Sequence, residues 1–202
     1  PQGPLGAAWL GQGGFVIRAI IYFVIWTALA VIFARPAAAE RRGRRRLAAG
    51  AGLALHLAIA TLAAVDWTLS LDPRWYSAEF GLLLIATQCC IALAAAILIG
   101  ATAADPEAGM PQPGALLLVL ASVWLYFQFM QFLTVWSADK PGEIVWYLHR
   151  DGDGGRVIEW LVFVAGFLLP LCVLIPRTLR RHLSVLALAA VLVLFAHALE
   201  ML

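Results

Sequence analysis

The residues able to do chemistry in this chain are few, and they stand in unusual places. Asp66, Ser70, Asp72, Arg74, Ser77 and Glu79 fall in one stretch, Asp66 to Gly81, with Trp67 and Trp75 between them. Long apolar runs flank that stretch. Arg18, His56, Gln128, Gln131, His197 and Glu200 lie inside apolar runs, where a charge costs at least about 2.5–3.5 kcal/mol on insertion scales. Carboxylates and imidazoles at such depth can take up and pass on protons, and imidazole titrates near neutral pH. The candidates for a proton path are therefore His56, Asp66, Asp72, Glu79, His197 and Glu200. Arg18, Trp124, Gln128 and Gln131 are candidates for the wall of a polar cavity.

Other chemistries lack their residues. There is no glycine-rich nucleotide motif and no nucleophile elbow. Cys89, Cys90 and Cys172 all sit in apolar runs, with no CxxC and no Cys/His spacing suited to zinc, haem or an iron–sulfur cluster. Any redox cofactor is expected on a diffusible carrier or a partner chain.

Each candidate also has a plainer role. Arg18 is near its helix start and can snorkel to the interface. Tyr22 and Trp26 follow it at four-residue steps, which gives that helix a face suited to packing on protein. His56 is either a satisfied buried histidine or a proton relay. About 15 Å of helix separates it from Asp66, and the two are not on one face. Asp72-Pro73 makes a good helix start, with a carboxylate N-cap and proline at the first helical position. Asp66 has no such explanation. It needs a partner, Arg18 or Arg74, and either an ion pair or a proton acceptor fits it. Gln128 and Gln131 stand at i,i+3, with Trp124 one turn before Gln128. They suit interhelical hydrogen bonds or a cavity wall. His197 and Glu200, also i,i+3, can pair locally. Pro170 bends its helix, and a bent helix has carbonyls to spare for a cavity.

The elements that must position these groups follow from composition. The 202 residues are 63% hydrophobic and 13% charged, against about half and a quarter in a soluble domain. The reading is an all-α, polytopic transmembrane helix bundle forming one transmembrane domain. Six stretches, at roughly 15–34, 47–70, 78–101, 114–136, 157–176 and 183–202, are long enough to span. Lipid offers no partner to free backbone groups, so these must be helices. Arg35, Arg41, Arg42, Arg44, Arg45 and Arg46 lie between the first two stretches, and Arg177, Arg180 and Arg181 between the last two. The positive-inside rule makes both connections cytoplasmic. The connection 102–113, with Asp105 and Glu107, then shares that side, while Pro1 and the Asp66–Gly81 turn face outward. The run 41–46 serves as topology signal and headgroup contact. Trp67, Trp75, Trp136, Trp146 and Trp160 fall at outward ends. They fit an interfacial belt, a flat hydrophobic ligand or a docking surface. Residue 1 is proline, no signal peptide is visible, and the last run reaches Leu202. Both ends are expected to be cut from a longer chain.

Two blocks carry a family resemblance. One is Asp66-Trp67-x-x-Ser70-x-Asp72-Pro73-x-Trp75-x-Ser77 with Phe80-Gly81. The other is Trp124-x-Tyr126, then Gln131-Phe132, Trp136, Ala138 and Pro141. Phe15-x-Ile17-Arg18-x-x-x-Tyr22 and Phe167-Leu168-Leu169-Pro170-Leu171, with His197 further on, add weaker support. The chain resembles the ActF-type membrane subunits of bacterial alternative complex III, a quinol:electron-acceptor oxidoreductase. These belong to the NrfD-like, polysulfide-reductase-type membrane family.

The resemblance implies a protein of about ten helices, two four-helix bundles plus flanking helices. About three helices would precede this chain and one would follow it. It implies a bacterial inner-membrane subunit that supports quinol oxidation and carries a proton path. Haem and iron–sulfur clusters would belong to partner subunits, and quinone or quinol is the one ligand implied for this chain. The lipid bilayer and other membrane subunits are the expected partners, with no nucleic acid. Asp66, Asp72, Gln131 and His197 would then line the polar interior; from charge at depth, Asp66, Asp72 and Glu79 are expected as exit-side carboxylates and His56 as mid-membrane relay. Arg18, Trp124, Gln128 and Gln131 would wall a quinone headgroup site. His56, Glu79, Cys89-Cys90 and Asp151-Gly152-Asp153-Gly154-Gly155 depart from the family pattern. The rival reading is a scaffold that holds cofactor-bearing subunits. A transporter lacks the paired Gly/Pro-broken helices it would need.

Overall fold

A computed structural model describes residues 11–34, 42–68, 70, 77, 79–103, 111–138, 144, 147–148 and 152–200. Six helices among them are long and apolar enough to cross a membrane, and no strand occurs among the described residues. The protein is an all-α membrane-spanning bundle. In order, the helices are α1 (Gln12–Ala34), α2 (Arg42–Trp67), α3 (Phe80–Ala103) and α4 (Pro111–Ala138). The fifth span is composite: α5 (Asp153–Phe163), a π-helical segment (Val164–Leu168) and α6 (Leu169–Leu174). A 3-10 turn (Leu179–Arg181) leads to α7 (Leu183–Glu200). Asp72, Pro73, Arg74, Trp75, Trp146, Arg35, Arg41, Asp105 and Glu107 lie outside the described residues.

Helix boundaries fall within about five residues of the expected spans, and the largest difference is at the start of the second helix. The second helix begins at Arg42 rather than at 47, so most of the arginine run is helical. Arginine is a good helix former, and its long side chain can keep its charge in water while the backbone coils. Arg45 also has a task there. Its Nη2 donates to the carbonyl of Phe33 at 2.8 Å, filling an acceptor that the last turn of α1 leaves open.

The chain divides into two compact units, Pro1–Pro73 and Arg74–Leu202. The first holds α1 and α2 as an antiparallel hairpin. Its contacts run in opposite senses along the two helices, from Arg18 with Asp66 through Trp26 with His56 to Phe33 against Gly52. A Cβ on Gly52 would stand 2.8 Å from the Phe33 ring, so glycine permits the close approach. Tyr22 is the buried residue of α1, whereas Ile17, Ile20, Phe23 and Val24 are exposed. An apolar surface all round is what a lipid-facing helix presents.

In the second unit, α3 and α7 make the most extensive contact. Each brings small side chains to the seam. Ala86, Cys90 and Ala94 recur every four residues on α3, and Ala189, Ala190, Val193 and Ala196 line α7. Small residues let two backbones come close in a membrane, where packing rather than water exclusion drives association. On α4, Leu117, Ala121, Trp124, Gln131 and Val135 are buried on one face, each one or two turns from the last. The stripe that faces the bundle thus turns from apolar to polar as α4 proceeds. Hydroxyls on these spans bond to their own helix: Thr61 to the carbonyl of Leu57 at 2.9 Å and Ser122 to that of Leu118 at 2.8 Å. That satisfies a polar group where water is scarce.

The π segment packs against α7. A Cβ on Gly166 would lie 3.0 Å from Cβ of Ala196 and 3.5 Å from the Trp124 ring. Ala196 cannot rotate away, so Gly166→Val should cost about 1–3 kcal/mol by overpacking. Thermal unfolding of the purified protein in detergent checks this, against Gly154→Ala, where an added Cβ meets nothing.

Candidate functional site

Two groups of polar side chains occupy the membrane-spanning helices, one in each unit. In the first unit, Asp66 is one residue from the end of α2. Arg18, on α1, donates from Nε to Oδ2 at 2.7 Å and from Nη2 to Oδ1 at 2.9 Å. The guanidinium thus meets the carboxylate as a two-pronged fork, the strongest geometry for such a pair. Tyr22, one turn after Arg18, donates its hydroxyl to Oδ2 at 2.7 Å. Both charged side chains are mostly covered, at 11% and 13% exposure. Ser70 donates to the backbone carbonyl of Asp66. Of the two partners expected from sequence, Arg18 meets Asp66, and Arg74 lies outside the described residues.

Aromatic rings close over this group. Trp67 lies edge-on to Tyr22 at 6.0 Å between centroids and stacks on Phe23 at 5.6 Å. Trp26 meets Trp67 at 5.7 Å and His56 at 6.2 Å. Trp67 therefore packs within the hairpin, while Trp136 and Trp160, at 70% and 66% exposure, remain in the position of an interfacial belt. His56 touches the Trp26 ring and, among the described residues, has no hydrogen bond. The Trp26 Nε1 is buried and unpartnered.

In the second unit the polar groups gather where α3 starts and where α4 and α7 end. His197 is 2% exposed, and its Nδ1 is 3.1 Å from Oε2 of Glu200. The Gln128 amide donates to the other carboxylate oxygen, Oε1. The Trp124 ring stands perpendicular to the His197 ring, with centroids 5.0 Å apart. Glu200 thus bridges a histidine on its own helix and an amide on α4. One turn further along α4, Gln131 accepts a hydrogen bond from Ser77. Ser77 also accepts the backbone N–H of Phe80 at 3.0 Å, so its hydroxyl satisfies the first N–H of α3. Glu79 Oε2, Gln88 Oε1 and Trp124 Nε1 are buried without a partner. Buried polar atoms of this kind are where internal water binds. A cleft of about 390 Å³ lies beside the end of α4, lined by Phe132, Val135, Trp136, Ile144 and Tyr147.

The expected residues therefore separate. His197, Glu200, Gln128 and Trp124 form one contact group, with Gln131 beside them on α4. Arg18 and Asp66 form another, and His56 is in that unit but in neither hydrogen-bonded set. Glu79 is two residues from Ser77, and Asp72 lies outside the described residues. Three participants, Tyr22, Ser77 and Gln88, are not among the candidate site residues expected from sequence. The Tyr22 hydroxyl was seen only as part of an amphipathic face. Ser77 carried a usable signal, a serine three residues before an apolar run. Gln88 is an amide at depth, a signal by the same rule that flagged Gln128. Among the described residues, no three His, Cys, Asp or Glu side chains come together to hold a metal ion.

Removing one partner of the first group leaves the other charge covered and unmatched. Asp66→Asn and Arg18→Gln should each lower the unfolding temperature. The double variant should lose less than the sum of the two, since it removes both charges. A double-mutant cycle read by thermal unfolding measures that coupling. Compared with known proteins, the chain matches no family model and no curated sequence.

Proposed function

We propose that this chain is a membrane subunit of a quinol-oxidising electron-transport complex and moves protons through the interior of its second unit. The observation that carries the reading is the His197–Glu200–Gln128 group. A histidine 2% exposed, with a carboxylate 3.1 Å away, sits inside spanning helices. Ionisable side chains in that setting are expensive and mark ion or proton routes. The carboxylate has one oxygen on the imidazole and the other on the Gln128 amide. A proton can pass between Glu200 and His197 without either moving, because the amide holds the carboxylate in place. The unpartnered Trp124 Nε1, Gln88 Oε1 and Glu79 Oε2 suit water that extends the route. Asp72, if on the route, would add an outward carboxylate.

The quinol part of the reading is supported by the resemblance alone, through the Asp66–Gly81 and Trp124–Pro141 blocks. In that setting the subunit lies in a bacterial inner membrane. Haem- and iron–sulfur-bearing partners accept the electrons, and this chain handles protons released as quinol is oxidised. Among the described residues, the aromatic cleft at Phe132, Trp136 and Tyr147 suits a quinone ring better than Gln128 and Gln131, each of which already bonds within the protein.

A scaffold role is favoured by a separate observation. Asp66 accepts three hydrogen bonds from Arg18 and Tyr22, which suits a structural lock better than a proton acceptor. One chain can hold both roles in different units, and mutation separates them. In the purified complex, Glu200→Gln should leave assembly intact and slow quinol-linked proton release by roughly tenfold or more. Asp66→Asn should instead reduce the amount of complex recovered. Unchanged proton release in Glu200→Gln would end the conduction reading; normal assembly in Asp66→Asn would end the scaffold one.

A further inference from the structure

The opposite end of the second unit carries a group of charges that the proton reading does not use. From Gly114 to Gln131, α4 rises roughly 25 Å, so this group is remote from the His197 cluster. Between α6 and α7 the backbone folds into a bonded turn. Arg180 N–H reaches the carbonyl of Pro176 at 3.1 Å, Arg181 N–H that of Thr178 at 3.3 Å, and His182 N–H that of Leu179 at 3.0 Å. Arg177, Arg180 and Arg181 are thus carried on an ordered turn.

Arg180 is fixed more firmly than its neighbours. Its methylenes cross Gly114 at the start of α4, where an added Cβ would lie 2.6 Å from Cγ and 3.1 Å from Cδ. Nη1 donates to the carbonyl of Leu174 at 3.4 Å, and Nε is covered and unpartnered. Among the described residues no carboxylate pairs with Arg177, Arg180 or Arg181. Packing and one backbone carbonyl therefore hold a guanidinium that no described carboxylate matches. Arg177 and Arg181 are exposed beside it, all at the end of membrane-spanning helices.

We infer that this turn is a binding site for the phosphate headgroup of an anionic phospholipid. Guanidinium groups match phosphate oxygens in shape and charge. Basic pockets at helix ends are where a bilayer supplies such phosphates. The lipid is favoured over a free anion because the site lies at a span terminus, where acyl chains can lie along the exposed apolar side chains Leu116 and Ile175.

The test is lipid retention by the whole protein in mild detergent, read by native mass spectrometry and thermal unfolding. Phosphatidylglycerol or cardiolipin should be retained and raise the unfolding temperature; phosphatidylcholine and inorganic phosphate should not. Arg180→Gln, and Arg181→Gln on the exposed edge, should each weaken retention about fivefold. Gly114→Ala keeps every charge and should also weaken it, by displacing Arg180. Arg44→Gln, in the other unit, should change nothing. Equal retention of phosphatidylcholine would overturn the proposal, as would a full response to inorganic phosphate. So would an equal loss in Arg44→Gln, or full retention in both turn variants, as expected if Asp105 or Glu107 supplied the counter-charge.

Discussion

The constraint on which the structure rests is that hydrocarbon offers no partner to a polar group, so each one must be matched within the protein. The Arg18–Asp66–Tyr22 contact is its clearest expression. A carboxylate one residue from a helix end could have turned to water. It faces the neighbouring helix instead, where an arginine fork and a phenol occupy it. The hairpin of α1 and α2 has few buried side chains, so the ion pair and the aromatic rings over it supply much of its specificity. A hairpin held by apolar contacts alone could slide along its seam in lipid. One held by a two-pronged pair has a single register.

The second unit solves the same problem differently. Alanine, cysteine and valine along α3 and α7 bring those helices close, and the resulting tight bundle leaves its polar groups at the ends. At one end histidine, glutamate and glutamine satisfy one another. At that same end a serine does double duty: the Ser77 hydroxyl accepts the N–H of Phe80 at the start of α3 and donates to Gln131 of α4. Secondary structure and tertiary contact are set there by one hydroxyl. Removing that hydroxyl would loosen both.

Much of this was legible from residue types alone. Six apolar runs became six helices because the bilayer leaves the backbone no alternative. Asp66 was recognisable as needing a partner because it stands inside a helix, and Arg18 was one of the two cations open to it. The His197–Glu200 pair follows from spacing on one helix. What sequence could not supply were pairings between helices. Nothing in the spacing of Gln128 points to Glu200, seventy-two positions away, or links Gln131 to Ser77. The helix of α2 extends beyond the expected span for a related reason. Hydropathy marks where lipid begins, whereas helix formation follows backbone propensity, and arginine favours the helix outside the lipid too.

The π segment at 164–168 has a consequence for how the fifth span should be compared with any other. Val162, Gly166, Pro170 and Leu174 are all turned inward, a strict four-residue repeat. On an unbroken α-helix such a repeat drifts around the axis by about 40° a turn. The wider turn, which holds more residues, takes up that drift and returns the repeat to one side. The span is therefore two helical phases on one axis. Aligned without a gap to a straight helix, its residues would match on one side of the wider turn and be rotated out of step on the other.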